Sequence, residues 1–116
     1  MSISPLTIEH QELKRCDLLR VAGRIDSDSA PTFEQELRSA LGAGRYKIVL
    51  NLKGVDYTSS AALRVLINVA RECRRFNRGD VRLAEVNDRV QKVLDLAGLK
   101  ELFKLYATEA EAVGSF

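Results

Sequence analysis

The sequence predicts an α/β domain on a mixed, mostly parallel sheet of about five strands, and three observations predict it. Strand-like and helix-like segments alternate after an opening pair of strands. Ile48, Val49 and Leu50 are consecutive apolar residues, as in a strand covered on both faces. The 116 residues suffice for one core and are too few for two. The order read along the chain is ββαβαβαβα, a single domain over residues 1–116.

In LTIEHQEL, Leu6, Ile8 and His10 alternate with polar residues, a strand pattern. The short charged turn KRC joins it to DLLRVAG, so the two form a hairpin that adds an antiparallel edge. This second strand ends at GRID, residues 23–26. Phe33, Leu37, Ala40 and Leu41 then fall at i, i+4, i+7 and i+8, one apolar helix stripe. Pro31 is tolerated only in a first turn, which puts the helix start near residues 27–29, and Gly42 and Gly44 stop it.

YKIVLNL is the buried strand, and GVDYTSS after it reads as a loop. The next helix covers about residues 60–76 with Leu63, Leu66, Ile67 and Ala70 facing inward. Arg71, Arg74 and Arg75 carry the favourable sign for its C-terminal end. DVRLAEV is a strand by the alternation of Val81 and Leu83. Asn87 caps a third helix with Val90, Val93, Leu94 and Ala97 on its stripe, closed by Gly98 with Leu99 packing back. FKLYA is a short last strand, and TEAE at 108–111 is a capping box that opens a final helix.

The composition, 46% hydrophobic and 29% charged with net charge +2, is ordinary for a globular chain and too weakly basic to point to nucleic acid. No apolar run is long enough for a membrane span, and the N-terminus lacks a charged-then-apolar leader. Cys16 and Cys73 lie far apart and match no metal spacing, so they read as free thiols, and a cytoplasmic location is expected. His10 has no cysteine or carboxylate at ligand spacing and reads as an ordinary strand residue; no metal or cofactor is expected. There is no GxSxG, P-loop or GxGxxG, and Glu34 and Glu36, two apart on a helix, do not face each other. Arg71, Arg74, Arg75 and Arg78 form the densest basic run, without the interleaved aromatics of a single-strand binder. An enzyme is not expected.

The informative stretch is GVDYTSSAALRVL, residues 54–66, where a buried strand hands over to a helix through Thr58, Ser59 and Ser60. Ligands meet α/β sheets at such strand ends, and a helix N-terminus offers free N–H groups to an anion. Hydroxyls there either cap the helix or carry a phosphate, which adds about −1.5 to −2 charges to a small neutral surface.

IVLNLKGVDYTSSAALRVLI resembles the central segment of STAS domains, in particular bacterial anti-sigma factor antagonists, whose pattern is an apolar strand, D-x-S-G-V, an apolar or aromatic pair, D-S-S-G-L and an apolar helix. GRID is similar to the family's G-x-[LI]-D turn, Ala30-Pro31 fits its first helix, and VQKVLDLAGLKELFKLYATEAEAV resembles its last elements. The resemblance covers nearly the whole chain. It implies a STAS-like fold with helices mainly on one face of the sheet. It also implies a regulatory partner: a serine kinase of the switch type that is also an anti-sigma factor, whose complex weakens on serine phosphorylation and is restored by a phosphatase. Neither nucleic acid nor membrane is implied as a partner.

With the match anchored on Leu63, the family's glycine falls on Ala62, its phosphoserine on Ala61, the preceding serine on Ser60 and its aspartate on Ser59. An alanine cannot accept phosphate. Three readings stay open: a binder not switched at the usual position, a phosphate displaced to Ser60, Ser59 or Thr58, or hydroxyls that only cap. The implied docking surface comprises Asp26, Ser27, Tyr57, Thr58, Ser59, Ser60, Ala61, Arg64 and Asn68, with Arg64 a further departure from the family's small residue. The alternative is a small-molecule or anion-sensing or scaffold domain without phospho-switching.

Overall fold

The computed structural model describes residues 4–76 and 78–116. The elements follow in the order β1 (Thr7–Glu12), β2 (Asp17–Ile25), α1 (Ala30–Gly42), β3 (Lys47–Thr58), α2 (Ser60–Arg75), β4 (Asp80–Ala84), α3 (Asp88–Leu96), a 3-10 turn (Lys100–Leu102), β5 (Leu105–Tyr106) and α4 (Glu109–Gly114). The five strands lie in one sheet in the order β1-β2-β3-β4-β5. β1 pairs antiparallel with β2, and the other pairs are parallel.

That order explains the layering. Each crossover from β2 to β5 moves one strand in the same direction, and parallel crossovers take one hand, so α1, α2 and α3 share one face. There Leu19, Ile48, Leu50 and Leu83 meet Phe33, Leu37, Val69 and Leu94 in the main core. α4, which follows the last strand, covers part of the opposite face, where Cys16, Leu18, Val49 and Ala84 pack on Ala112. Ile48, Val49 and Leu50 are consecutive because β3 is covered on both sides.

Several boundaries differ from expectation. The residues read as a loop after YKIVLNL are strand: β3 continues to Thr58 because β2 runs alongside it, pairing Arg24 with Tyr57 and Ile25 with Thr58 across two register shifts. Gly54 permits this, since a Cβ there would come 2.8 Å from the Ala22 Cβ. α1 starts at Ala30 rather than near 27–29, because residues 26–29 form a turn of their own. On α2 the buried residues are Ala62, Val65, Leu66, Val69, Ala70 and Cys73; the expected Leu66 and Ala70 are among them, but Leu63 and Ile67 are half-buried. Small and β-branched residues face the sheet and α1, which displaces the larger chains sideways. On α3, Val90 and Leu94 are buried, Val93 is half-buried and Ala97 is exposed at the helix end.

Candidate functional site

The handover from β3 to α2 is tied down from both sides. Ser59 has extended backbone, its N–H donates to the Ile25 carbonyl at 2.8 Å, and its Oγ accepts from the Ala62 N–H at 3.1 Å. This is an N-cap whose hydroxyl is already used, and it fixes where β2 ends relative to where α2 begins. Ser60 is the first residue of α2 and is exposed, and among the described residues its hydroxyl makes no hydrogen bond. Ala61 follows, half-buried.

Alternation along β3 separates Tyr57 from Thr58. Thr58 turns to the helical face and lines an apolar crevice with Ile25, Phe33 and Leu63. Tyr57, 44% exposed, turns to the other face, where the Arg24 guanidinium lies 4.5 Å from its ring centroid. The two residues placed together by the sequence therefore address opposite sides of the sheet.

Asp26 is bound up in the turn before α1. Its Oδ1 accepts from the backbone N–H of Ser29 at 2.9 Å and of Asp28 at 3.0 Å, and the Ser29 hydroxyl lies 3.1 Å away. The Ser29 N–H, and next its hydroxyl, hold the Asp26 carboxyl below the usual carboxylate range. Asp26 thereby shapes the rim rather than presenting a free carboxylate, and this turn carries Ser27 out beside α2.

Ser27, Ala61, Arg64 and Asn68 line one shallow groove between the start of α1 and the first turns of α2. Ala30, Pro31, Glu34 and Val65 complete it. Of the sequence-predicted residues, this groove gathers four; Ser59, Ser60 and Thr58 stand at its head in the chain, and Tyr57 lies across the sheet. The sequence reading missed Arg24 and Glu34. Arg24 becomes visible once β3 is extended to Thr58, because the parallel register then sets it beside Tyr57.

Among the described residues there is no group of three or more His, Cys, Asp or Glu side chains placed to hold a metal ion, and no helix is long and apolar enough to cross a membrane. The sole histidine, His10, points its Nε2 at Asp17 Oδ2, 2.7 Å away, a hydrogen-bond partner the spacing did not suggest. What the rim of α2 offers is surface: capped backbone, a free hydroxyl, an arginine and an amide.

Known proteins resemble this chain along nearly its whole length. A Bordetella bronchiseptica protein named as an anti-sigma factor antagonist, BtrV, is 32% identical over 94 residues, spanning 81% of this chain and 80% of that one. The crystal structure of an anti-sigma factor antagonist from Mycobacterium paratuberculosis superposes with a TM-score of 0.84 at 20% identity, covering 96% of this chain and 93% of the other. The Bacillus cell fate determinant SpoIIAA in its phosphorylated form superposes with a TM-score of 0.74 at 20% identity, covering 94% and 98%. The family model described as the STAS domain matches residues 7–112, and the five-stranded sheet with its four helices is the fold of those structures, so this chain belongs to the STAS domain family.

Proposed function

We propose that this chain is a regulatory protein-binding module of the anti-sigma factor antagonist kind, which docks a serine-kinase anti-sigma factor in a partner-switching pathway. It acts by binding rather than by catalysis, and a phosphatase would reverse any phosphorylation. The observation that carries the reading is the exposed rim where β3 meets α2, on a chain 32% identical to a protein named as such an antagonist. Docking would use Ser60, Ala61 and the α1–α2 groove with Ser27, Arg64 and Asn68, shaped by Asp26 and flanked by Tyr57.

In this reading Ala61 stands where the family's phosphoserine falls, so the usual switch position accepts no phosphate. Three neighbouring hydroxyls differ in availability. Thr58 is half-buried against the core, Ser59 spends its oxygen on the helix cap, and Ser60 is exposed. Ser60 is the acceptor a kinase would reach first, and at the first position of α2 a phosphate would sit by unsatisfied N–H groups.

The test mixes the purified protein with switch-type serine kinases of its host, without and with ATP, and maps phosphate by mass spectrometry. Binding to one such kinase is the expected result. Phosphate on Ser60 then marks a displaced switch, and binding that ATP leaves unchanged, with no phosphate, marks an unswitched binder. Failure of every such kinase to bind overturns the reading.

A further inference from the structure

We infer that the groove between α1 and the first turns of α2 receives a carboxylate side chain of the partner protein, held by Arg64 with Asn68 beside it. The inference deepens the docking reading and rests on it for the partner's identity, but the chemistry of the groove stands on its own observations. Ser27, Arg64 and Asn68 converge on the groove. Among the described residues none of their side chains makes a hydrogen bond or ion pair within the chain; the arginines at 20, 38, 45, 74 and 82 are paired with carboxylates, whereas Arg64, like Arg71, Arg75, Arg78 and Arg89, is not, and it lines this groove.

The groove's own acid does not answer Arg64. Glu34 Oε2 accepts from Arg38 Nε at 2.9 Å, and Arg38 reaches on to Glu72 at 2.5 Å. That chain of ion pairs along the α1–α2 seam engages both carboxylates through Arg38, so the Arg64 guanidinium is left without a carboxylate of its own among the described residues. Its buried floor of Ala30 and Val65 is small and apolar, which lets a partner chain come close. An apolar occupant would strip the guanidinium of water and give nothing back, and a cationic one would repel it. A carboxylate meets the guanidinium fork with two parallel hydrogen bonds, and the Asn68 amide can donate a further one.

Two measurements test this on the full chain. In the first, a capped Glu-Leu-Glu-Glu peptide is titrated at low salt while the backbone, the Arg64 Nε–H and the Asn68 amide are followed by NMR. The Gln-Leu-Gln-Gln peptide serves as control. The expected result is shifts concentrated on Ser27, Arg64 and Asn68 with the acidic peptide alone, lost in Arg64→Gln. Shifts spread over Arg71, Arg75 and Arg78, or none in the groove, overturn the inference.

In the second, the kinase that binds the wild type is titrated with Arg64→Glu, Arg64→Gln and Arg64→Lys, each checked for native circular dichroism. Affinity is expected to fall about tenfold or more for Arg64→Glu, less for Arg64→Gln and least for Arg64→Lys. Equal affinity of all four proteins sinks the carboxylate site and leaves the docking reading intact. A groove that takes the acidic peptide on a protein that binds no switch kinase does the reverse.

Discussion

Asp17 is fully buried, and two side chains hold it: His10 Nε2 at 2.7 Å on one oxygen and Arg45 Nε on the other. Arg45 also donates to the Leu13 carbonyl at 2.5 Å, so this one side chain joins the β1–β2 turn to the entry of β3. Asp17→Ala would leave both donors without an acceptor. Removing one member of a fully buried ion pair costs about 3–5 kcal/mol; with Arg45 30% exposed and able to recover water, about 2–3 kcal/mol is expected. Urea unfolding checks it through a lower midpoint at unchanged slope. At the other end of the sheet, Ser59→Ala should cost about 1 kcal/mol by opening the cap of α2, while Ser60→Ala should stay within about 0.5 kcal/mol. Equal losses at both serines in the same measurement would refute the division between a capping and a free hydroxyl. The two sites were unequally legible. Ser59 could be read as a cap because its partner is three residues away, but the partners of Asp17 lie 7 and 28 residues off, and only the folded hairpin and the parallel pairing of β2 with β3 bring them together.

At the scale of elements, α4 is the piece with its own fastening. Glu109, the first residue of this helix, receives Arg20 at 2.7 and 3.0 Å and the Asn51 amide at 2.6 Å. The Arg20 hydrogen bond, with Asn51 adding to it against a partial burial penalty, holds the Glu109 carboxyl below the usual range. A depressed folded value means that the contribution to stability is complete above the unfolded glutamate value of about 4.3 and is lost as pH falls through the lower folded value. Glu109→Gln should therefore be less stable than the wild type by about 1 kcal/mol at neutral pH, given the partial exposure of the pair, and the gap should narrow as pH falls below the unfolded glutamate value. A gap that does not narrow on acidification would assign the loss to packing instead. Glu109 was legible as part of a capping box, but its tie to Arg20 joins positions 89 residues apart. The order of elements was legible for a related reason: stripes and caps are local. The length of β3 was not, because Lys53, Gly54 and Asp56 are disfavoured in strands and are held in one by pairing with β2. On α2, Leu66 and Ala70 were legible but Leu63 and Ile67 were chosen over Val65 and Val69 for their hydrophobic bulk, and only the packed helix shows the smaller chains facing inward.

Over the whole molecule, the paired buried carboxylates and the proposed docking rim occupy opposite ends of the sheet. The buried carboxylates Asp17 and Asp80 both stand at the starts of parallel strands, and Asp80 is held by Arg74 at 2.8 Å and Arg82 at 3.2 Å. Arg74, which the sequence assigned to the helix dipole, in fact bridges the end of α2 to β4 and to the Leu102 carbonyl. The opposite end, where β2 and β3 finish, carries Ser60 and Arg64 without an intramolecular partner among the described residues. Interactions completed inside the fold can stabilise it, and those left open are available to another molecule. Substitutions should therefore sort by end. Asp80→Ala should lose about 2 kcal/mol by removing the carboxylate that Arg74 and Arg82 share, and should bind the proposed partner kinase with wild-type affinity once the folded fraction is corrected for. Arg64→Glu should unfold within about 0.5 kcal/mol of the wild type and yet lose most of that affinity. Paired urea and titration measurements on the two variants decide it. A substitution at the Asp17–Asp80 end that weakens binding without touching stability would mean that the partner grips this end of the sheet as well, and that the rim of α2 is at most part of the interface.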